Sequence, residues 1–277
     1  MNLSDVNNYK VLVVGDAITD CYRFCTTLGR GTKESIISVK FEKEETFAGG
    51  VWAAADHIRE LVSLVDVWHG PRVMVSTKYV TGNYATKLFS VHTEKGHGNK
   101  APSLGLSEYD LVIVFDYGHG FLTAGLRERI MKESRWLAVN AQSNSINYGF
   151  NRVNEKWPSA NLCVCDELEA RLAAHEPDAP IEDVILKLPY SSIIVTQGAQ
   201  GATGYANREF YREGAFTDRP IDLLGAGDAV LAVVAPFAKA GNSIKELVHL
   251  GNVAGAIKVG ILGHRGHVTK AELEKSL

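Results

Sequence analysis

The sequence Asp222-Leu223-Leu224-Gly225-Ala226-Gly227-Asp228 leads directly into an apolar run from Ala229 to Ala240. Its two glycines let the backbone turn tightly and expose N–H groups, and the helix expected behind them points the positive end of its dipole at the same place. We therefore predict an anion-binding turn at Gly225, Ala226 and Gly227, with the Asp228 carboxylate beside it as a base. Phosphoryl transfer to a hydroxyl group needs both features. Taken alone, however, this motif is more often a glycine turn that caps a helix.

Length and composition are typical of a globular α/β protein. The chain has 277 residues, of which 45% are hydrophobic and 22% charged, with a formal net charge of −3. This is enough for one domain with a substantial core, and it argues against nucleic-acid and membrane partners. The N-terminus is polar and resembles no signal peptide, and the four cysteines form no zinc-ligand pattern. These features predict a cytoplasmic protein with reduced, mostly buried thiols.

Short apolar runs alternate with helix-like segments along most of the chain. The runs that predict buried parallel strands are Lys10–Val14, Leu111–Phe115, Leu137–Val139, Leu162–Cys165 and Ile193–Thr196. The predicted helices are Trp52–Leu64, Thr123–Ser134, Asp166–Ala174 and Ile181–Lys187. This alternation favours β-α-β units and a doubly wound sheet.

Polar or glycine-rich residues follow each predicted strand. They are Asp16 and Asp20, Asp116-Tyr117-Gly118-His119-Gly120, Asn140, Gln142 and Asn144, Asp166 and Glu167, and Gln197-Gly198. Open α/β sheets bind ligands beyond the carboxyl ends of their strands. The general polarity of loops explains part of this pattern, but not the clustering of acids and amides. We therefore expect a ligand site at this edge of the sheet.

Two segments do not fit the α/β alternation. Ser35–Glu42 and Arg72–Thr93 alternate apolar and polar residues, which is typical of half-exposed antiparallel strands, and Gly82-Asn83 predicts a turn in the second. We interpret them as a small β flap inserted into the main domain. Lys78 on this flap is a candidate ligand for a sugar phosphate, although bases on edge strands also serve to prevent aggregation.

These motifs resemble, in order and nearly from end to end, the ribokinase/PfkB family of carbohydrate kinases. Within it, the chain is most similar to the bacterial kinases that act on heptose 7-phosphate in ADP-heptose synthesis. The resemblance is carried by Val11–Asp16 with Asp20, Phe47–Gly50, Asp110–Gly120, Thr196–Gly201, Gly225–Asp228 and Asn252–Gly263. It implies a ribokinase-like three-layer α/β/α sandwich with a small β-sheet lid. Residues 1–277 would form a single kinase domain, with lid strands at about 35–42 and 72–93.

The resemblance also implies roles for individual residues. Asp228 would be the catalytic base, and Gly225, Ala226 and Gly227 would form the anion hole for the transferred phosphoryl group of ATP. The implied substrate-binding residues are Asp16, Asp20, Gly49, Gly50, Asp116 and His119, although a plain loop role for His119 fits equally well. The implied nucleotide-binding residues are Thr196, Gly198, Gly201, Asn252 and Gly255. An Asn-x-x-Glu element aligned with Val164–Glu167 would organise Mg²⁺ through Asp166 and Glu167.

The chain departs from the family pattern at several places. Leu223, Ala53 and Val164 stand where the family has a threonine and two asparagines. The chain also passes from the first helix, near Leu64, almost directly to the flap at Arg72, without the strand-helix unit that the family places there. Three residues near the C-terminus lie outside the motifs: His264, Arg265 and His267 suggest a metal site or, for Arg265, a nucleotide phosphate contact, but exposed loop residues are the simpler interpretation.

We expect an ATP- and Mg²⁺-dependent kinase that acts on a hydroxyl group of a sugar or sugar phosphate. A catalytically weak or inactive relative that serves as a nucleotide-binding or partner-binding module, for instance of a nucleotidyltransferase, is the alternative that the departures favour. A nucleoside or vitamin kinase on the same fold is a third. We also expect a homodimer through the lid, because a small projecting sheet is poorly stable alone and has edges to cover.

Overall fold

The computed structural model describes residues 1–31, 34–82, 86–96, 98, 101–217 and 219–277. Its strands are β1 (Lys10–Gly15), β2 (Ala17–Arg30), β3 (Ile37–Gly50), β4 (Leu64–Trp68), β5 (Arg72–Thr81), β6 (Thr86–Gly96), β7 (Leu111–Asp116), β8 (Leu137–Ala141), β9 (Leu162–Asp166), β10 (Ser192–Thr196), β11 (Ala202–Ala206) and β12 (Glu209–Glu213). Its α-helices are α1 (Val51–Arg59), α2 (Ala124–Glu133), α3 (Val153–Lys156), α4 (Glu167–Ala174), α5 (Ile181–Leu186), α6 (Ala226–Lys239), α7 (Ile244–Val259) and α8 (Lys270–Ser276).

The strands form two separate sheets. The main sheet has eight strands in the order β12-β11-β10-β9-β8-β7-β1-β4. Its strands from β10 to β4 are parallel, and β11 and β12 extend it in the antiparallel sense. The second sheet has four strands in the order β3-β2-β5-β6. The parallel part of the main sheet brings the carboxyl ends of six strands to one edge, which is where the polar residues lie.

The main sheet is the middle layer of a three-layer sandwich. In β1, Val11 and Val13 pack into one apolar core, and Leu12 and Val14 pack into another on the opposite face. The first core includes residues of α1, α6, α7 and α8, and the second includes residues of α2 to α5. Because successive side chains of a strand point to opposite faces, a strand buried on both sides reads as a continuous apolar run. The predicted α/β/α sandwich is confirmed.

All five predicted parallel strands are present, as β1, β7, β8, β9 and β10. We expected neither a strand nor a helix between the first helix and the flap, and only the second part of this expectation is correct. A strand is there: β4 pairs with β1 in parallel, from Lys10 opposite Leu64 to Val14 opposite Trp68. No helix succeeds it, because the short connection from His69 to Pro71 leads straight into β5. The first helix also ends earlier than predicted, at Arg59 rather than Leu64.

The second sheet is larger than the flap read from the sequence. β2 and β3 have 14 residues each and pair along almost their whole length, from Ala17 opposite Gly50 to Arg30 opposite Ile37. Asp20 therefore lies within strand β2, near its start, and not in a loop after β1. β2 was missed because its apolar residues are separated by threonines, arginines and an acid. The turn predicted at Gly82-Asn83 lies partly outside the described residues, since Asn83 is not among them.

Two expectations drawn from composition concern the thiols and the membrane. Cys21, Cys25, Cys163 and Cys165 are all free and buried, as predicted. Within the part of the chain that the structure describes, no helix has both the length and the apolar character needed to cross a bilayer.

The packing at the carboxyl ends of the parallel strands can be tested by a substitution at Gly15. A Cβ atom at Gly15 would lie 2.3 Å from the Phe115 carbonyl oxygen of the neighbouring strand β7. We expect Gly15→Ala to lower the free energy of unfolding by roughly 1–3 kcal/mol, as overpacked sites do. Gly125→Ala in α2, where a Cβ atom meets nothing within 4 Å, should instead leave stability unchanged or raise it by up to about 1 kcal/mol. Urea denaturation measures both, and equal effects would contradict the packing argument.

Candidate active site

The turn before α6 has the backbone geometry of an anion site. Gly225 precedes the helix with φ of 73°, a left-handed conformation that favours glycine, and no side chain caps the helix. The first N–H groups of a helix have no partners within it, so an uncapped helix start offers them to a ligand. Ala226 is an exception, because its N–H donates to the Leu223 carbonyl oxygen at 3.3 Å. The predicted turn is present, with the Ala226 amide already in use.

Two cavities meet at this turn. One, the polar cavity, has a volume of about 180 Å³ and is lined by Asp20, Lys78, His119, Gly225, Asp228 and His264, among others. The other, the apolar cavity, has a volume of about 310 Å³ and is lined on one side by Ala226 and Gly227. Its remaining wall includes all five residues expected to bind a nucleotide: Thr196, Gly198, Gly201, Asn252 and Gly255. The turn thus lies between a polar and a largely apolar compartment.

Asp228 reaches the polar cavity from the first turn of α6. Burial raises the pKa of its carboxyl group, while the Tyr117 hydroxyl and the positive charges of His264 and Lys258 lower it. The Tyr117 hydroxyl makes no hydrogen bond of regular geometry within the described residues, and burial together with the Asp228 charge raises its pKa. The hydroxyl group and the two bases that face Asp228 favour its ionised form, and in that form the carboxylate can accept a proton.

Asp20 is the centre of a buried ion cluster on the opposite wall of the polar cavity. Its carboxylate pairs with the Lys78 ammonium group and lies 3.3 Å from His264 Nε2. Burial favours a higher pKa for Asp20, but the hydrogen bond from His264 and the Lys78 charge outweigh it and lower the pKa. The expectation that His264 is an exposed loop residue is therefore wrong: only 9% of its side chain is exposed. The sequence could not predict this contact, because 244 residues separate Asp20 from His264 along the chain.

Asp16 holds the loop that follows β7. Its carboxylate accepts hydrogen bonds from the backbone N–H groups of His119, at 3.2 Å, and Phe121, at 3.4 Å. Burial and the nearby Asp116 charge raise the pKa of Asp16 to about 6, against the lowering effect of these N–H groups. Asp116 itself accepts from Trp157 Nε1 at 2.9 Å and from the Gly118 N–H at 3.0 Å, deep in the protein. We therefore assign Asp116 to supporting the loop, and no longer expect it to contact a substrate.

The glycine pair Gly49-Gly50 leaves the space that these acids occupy. A Cβ atom at Gly49 would lie 2.2 Å from Asp20 Oδ2. Gly50 has φ of 58°, and a Cβ atom there would lie 2.6 Å from the Asp16 carbonyl oxygen. Gly50 lines the polar cavity, whereas Gly49 backs Asp20. Both positions require glycine, which is consistent with their predicted place beside a substrate.

The acids predicted to organise a metal ion lie at the start of α4. Asp166 caps this helix and lies opposite Thr196 of the apolar cavity in the register of β9 and β10. Glu167 turns away, pairing with Arg171 and accepting from Gln197. The spacing Asp166 to Glu169 fits the Asn-x-x-Glu element better than Val164 to Glu167, because Glu169 is buried and accepts from Asn140 Nδ2 and the Ser143 N–H. Burial and the neighbouring Asp166 charge raise the pKa of Glu169.

The described residues contain no group of three metal-ligating acids, histidines or cysteines. This does not conflict with Mg²⁺, which commonly keeps several waters and binds through one or two carboxylates and the phosphates of its substrate. Asp166, beside the apolar cavity, fits that kind of site. Glu167 fits it poorly, since Arg171 and Gln197 engage both of its carboxylate oxygens.

Asp222, at the head of the turn, was quoted in the sequence motif but not recognised as important. One of its oxygens accepts from Tyr22 Oη at 2.6 Å and the Gly263 N–H at 2.9 Å. The other accepts from Lys87 Nζ at 2.9 Å and the Leu224 N–H at 3.1 Å. Although burial opposes it, these donors lower the pKa of Asp222 to about 2. A single carboxylate thus connects β2 and β6 of the second sheet to the turn.

Two other basic residues near the C-terminus have structural partners. Arg265 forms a double hydrogen bond with Glu45 of β3, at 2.7 and 2.8 Å, and so ties the C-terminal loop to the second sheet. His267 contacts Glu60 at 3.0 Å. The suggested nucleotide contact for Arg265 and metal site for His267 are therefore not supported by their positions.

The chain matches a family model described as pfkB family carbohydrate kinase over residues 99–270. Two curated relatives, both named Bifunctional protein HldE, come from a Nitratiruptor species and from Actinobacillus pleuropneumoniae, and each is 25% identical to the chain. The alignments cover 92% and 99% of this chain, but only 62% and 65% of those relatives. The chain thus spans less than two thirds of the length of the curated relatives that it matches.

Solved structures share the fold at low sequence identity. A ribokinase from Thermotoga maritima superposes with a TM-score of 0.74 at 16% identity, covering 96% of this chain and 98% of that one. A nucleoside kinase from Methanocaldococcus jannaschii gives 0.68 at 13% identity, covering 97% and 98%. At such identities the similarity establishes a ribokinase-like fold and nothing about the substrate.

Asp222 gives a prediction for stability against pH. Because folding lowers its pKa, its contribution is present above the unfolded pKa near 3.8 and is lost as pH falls towards 2. We expect Asp222→Asn to lower the free energy of unfolding by roughly 2 kcal/mol at pH 7, with the difference from wild type shrinking below pH 4. Tyr22→Phe, which removes one donor, should act in the same direction but by less. A penalty that does not change with pH, measured by urea denaturation, would contradict this assignment.

Proposed function

Because the chain belongs to the pfkB family of carbohydrate kinases, we propose that it transfers the γ-phosphoryl group of ATP to a hydroxyl group of a sugar phosphate. The single observation that carries this proposal is the meeting of the two cavities at the Gly225 turn. The apolar cavity suits the base and ribose of a nucleotide, and the polar cavity suits a polyhydroxylated acceptor. A nucleotide in the first would present its phosphates to the start of α6.

The proposed mechanism uses the residues that line the polar cavity. Asp228 accepts the proton of the acceptor hydroxyl group while the oxygen of that hydroxyl attacks the γ-phosphorus of ATP. The bond between the γ-phosphorus and the oxygen that bridges it to the β-phosphate breaks, and ADP leaves with the electron pair. The N–H groups at the start of α6 stabilise the negative charge on the moving phosphoryl group. Asp20, fixed by Lys78 and His264, orients the other hydroxyl groups in this cavity, and Asp16, whose pKa is about 6, can accept from or donate to the part of the acceptor that reaches the adjoining cavity.

Mg²⁺ fits this scheme as a companion of the nucleotide. It would neutralise charge on the β- and γ-phosphates, with Asp166 and the waters around it as the protein side of the site. Glu169 would act through Asp166, whose backbone N–H donates to it at 3.0 Å. Thr196 connects this region to the nucleotide cavity.

A heptose 7-phosphate is the acceptor that the sequence resemblance favours, and the space around the site supports an acceptor of that size. A further cavity of about 320 Å³ adjoins the polar cavity and shares Met74 and His119 with it, with Asp16 on its wall. Its wall carries Arg72, which pairs with Glu94 at 3.5 Å, and His119, whose pKa burial lowers. Release of ADP in the presence of heptose 7-phosphate, other sugar phosphates, free sugars and nucleosides tests this choice, and nucleosides as the only active acceptors would contradict it.

The rival is a catalytically weak or inactive relative that serves as a nucleotide-binding or partner-binding module, and the departures from the family pattern motivate it. Leu223 stands in place of the family threonine on the wall of the apolar cavity, where it is 68% exposed. Calorimetry with ATP and Mg²⁺ separates the possibilities: no binding at millimolar nucleotide would favour a partner-binding role over the kinase.

A nucleotidyltransferase remains a proposed partner, since the relatives are named bifunctional and extend beyond the aligned part. Light scattering of a mixture with a candidate enzyme tests it.

We further propose that the second sheet is the lid of the kinase and that two lids pair in a homodimer. β3 is an edge strand, and Ile37 and Phe41 on it are 60% and 56% exposed. An exposed edge with apolar side chains needs a cover in solution. Isologous pairing of two lids would provide it.

The dimer can be tested by placing charge on this strand. Ile37→Asp combined with Val39→Asp should convert a dimer to a monomer at micromolar concentration, because two carboxylates would then face their symmetry mates. Leu186→Asp should leave the dimer intact, because Leu186, at the end of α5 in the main domain, is similarly exposed, at 57%, but lies outside the lid. Light scattering measures the mass of each protein; a wild-type monomer, or a dimer that persists in the double variant, would argue against lid pairing.

Asp228→Asn tests the proposed base. The change keeps the size of the side chain but removes the proton acceptor, so kcat should fall by roughly 10²- to 10⁴-fold while ATP still binds. Asp183→Asn, outside the site in α5, is the matched control and should keep wild-type turnover. ADP release with the best acceptor of the panel gives kcat, and calorimetry gives the affinity for ATP. Near wild-type turnover in Asp228→Asn would rule out this mechanism.

A further inference from the structure

Lys258 lies in α7 with its side chain completely buried, and the mechanism above gives it no role. A lysine is rarely buried unless its charge is compensated, because moving an ammonium group out of water is costly. The groups that surround the Lys258 ammonium group therefore indicate its role.

The Lys258 side chain runs behind the phosphate-binding turn. Its Nζ donates to the Gly263 carbonyl oxygen at 2.8 Å, and the Gly263 N–H donates in turn to Asp222 at 2.9 Å. A Cβ atom built on Gly225 would lie 3.4 Å from Lys258 Cε. The lysine thus contacts the loop after α7 directly and packs against the turn from within the protein.

Charged groups from four elements or loops surround the ammonium group. They are Asp222 before α6, Asp228 in α6, Asp20 in β2 and Lys87 in β6. His57 in α1 also faces it, but burial and the Lys258 charge lower its pKa to about 3, so it stays neutral. Burial lowers the pKa of Lys258, and the three carboxylates oppose this. Asp228 in turn faces Lys258, His264, Tyr117 and Asp20, and of these the two bases and Tyr117 favour its ionised form.

We propose that Lys258 is a positioning residue for phosphoryl transfer: its buried ammonium group supplies the fixed positive charge that holds the Gly225 turn and maintains the Asp228 carboxylate as a base. The inference rests on the proposed function, because a base at Asp228 matters only if a hydroxyl group is activated there. Lys258 touches no substrate in this scheme and acts through Asp228 and the turn.

The physical need for such a charge follows from the composition of the site. Asp20, Asp222 and Asp228 lie close to where a phosphoryl group with several negative charges must enter. Lys78 and Lys87 already pair with Asp20 and Asp222. Lys258 adds a positive charge behind the turn, near Asp228, where water screens it little. Its removal leaves buried carboxylates with less compensation, which raises their pKa values.

Two neutral variants separate the charge from the hydrogen bond. Lys258→Gln keeps a donor for Gly263, whereas Lys258→Met removes both the charge and the donor. The pKa of Asp228 is measured by NMR titration of ¹³C-labelled aspartate, with Asp228→Asn assigning its resonance and Asp183, outside the site, as the internal standard. We expect the Asp228 pKa to rise by about one unit or more in both variants. We also expect kcat to fall roughly tenfold or more at pH 7, with the KM for ATP changing less than twofold.

A merely structural lysine gives different results. If Lys258→Gln recovers wild-type kcat and leaves the Asp228 pKa unchanged, the hydrogen bond alone matters and the proposal is overturned. If neither neutral variant folds, Lys258→Arg decides: a folded protein with the wild-type Asp228 pKa supports the charge role, and failure of all three variants to fold overturns it. A wild-type protein that transfers no phosphoryl group to any acceptor overturns the proposed function first. Unchanged variants of an active protein overturn only the role of Lys258.

Discussion

One carboxylate, that of Asp222, accepts hydrogen bonds from the second sheet, from the loop after α7 and from the Gly225 turn itself. The turn needs this support because a left-handed glycine followed by an uncapped helix has few contacts of its own. Tyr22 and Lys87 hold the second sheet over the turn through the same group. The shape of the polar cavity, which has walls from both sheets, therefore depends on an interaction that lies outside it.

The buried carboxylates of the site are stabilised in a common way. Each buried carboxylate near the turn has a cation or a donor that comes from a different segment: Lys78 and His264 for Asp20, Lys87 and Tyr22 for Asp222, and backbone N–H groups for Asp16. Neutralising one partner of such a group is costly, as expected for Asp222, although the whole pair contributes less because desolvation offsets attraction. The pairs also hold ionised oxygens at fixed positions beside the Gly225 turn, as the proposed phosphoryl transfer requires.

The main domain could be predicted from the sequence because its signals are local. A strand buried on both faces is a continuous apolar run, and a helix start with glycines is visible in a few residues, so β7 and the turn before α6 were found. The second sheet could not be delimited because β2 mixes polar and apolar residues on a half-exposed surface. The partners of Asp20, Asp222 and Lys258 were also missed, since each contact joins residues that are distant in sequence or depends on which side of a loop faces inward. His264 and Arg265 are adjacent, yet one lines a cavity and the other pairs on the surface.

The short connection after β4 has a direct consequence for the site. With only His69, Gly70 and Pro71 between β4 and β5, no helix follows β4 in the described residues, and Gly70 and Arg72 instead line the cavity that adjoins the polar cavity. Phe121 packs against Gly70, where a Cβ atom would lie 2.6 Å from its ring, and against Trp68. The loop that carries His119 is thereby fixed by the same residues that open the cavity. The shortened segment thus leaves a cavity beside the polar cavity while the loop stays in place, and this is the space that the proposed sugar-phosphate acceptor would use.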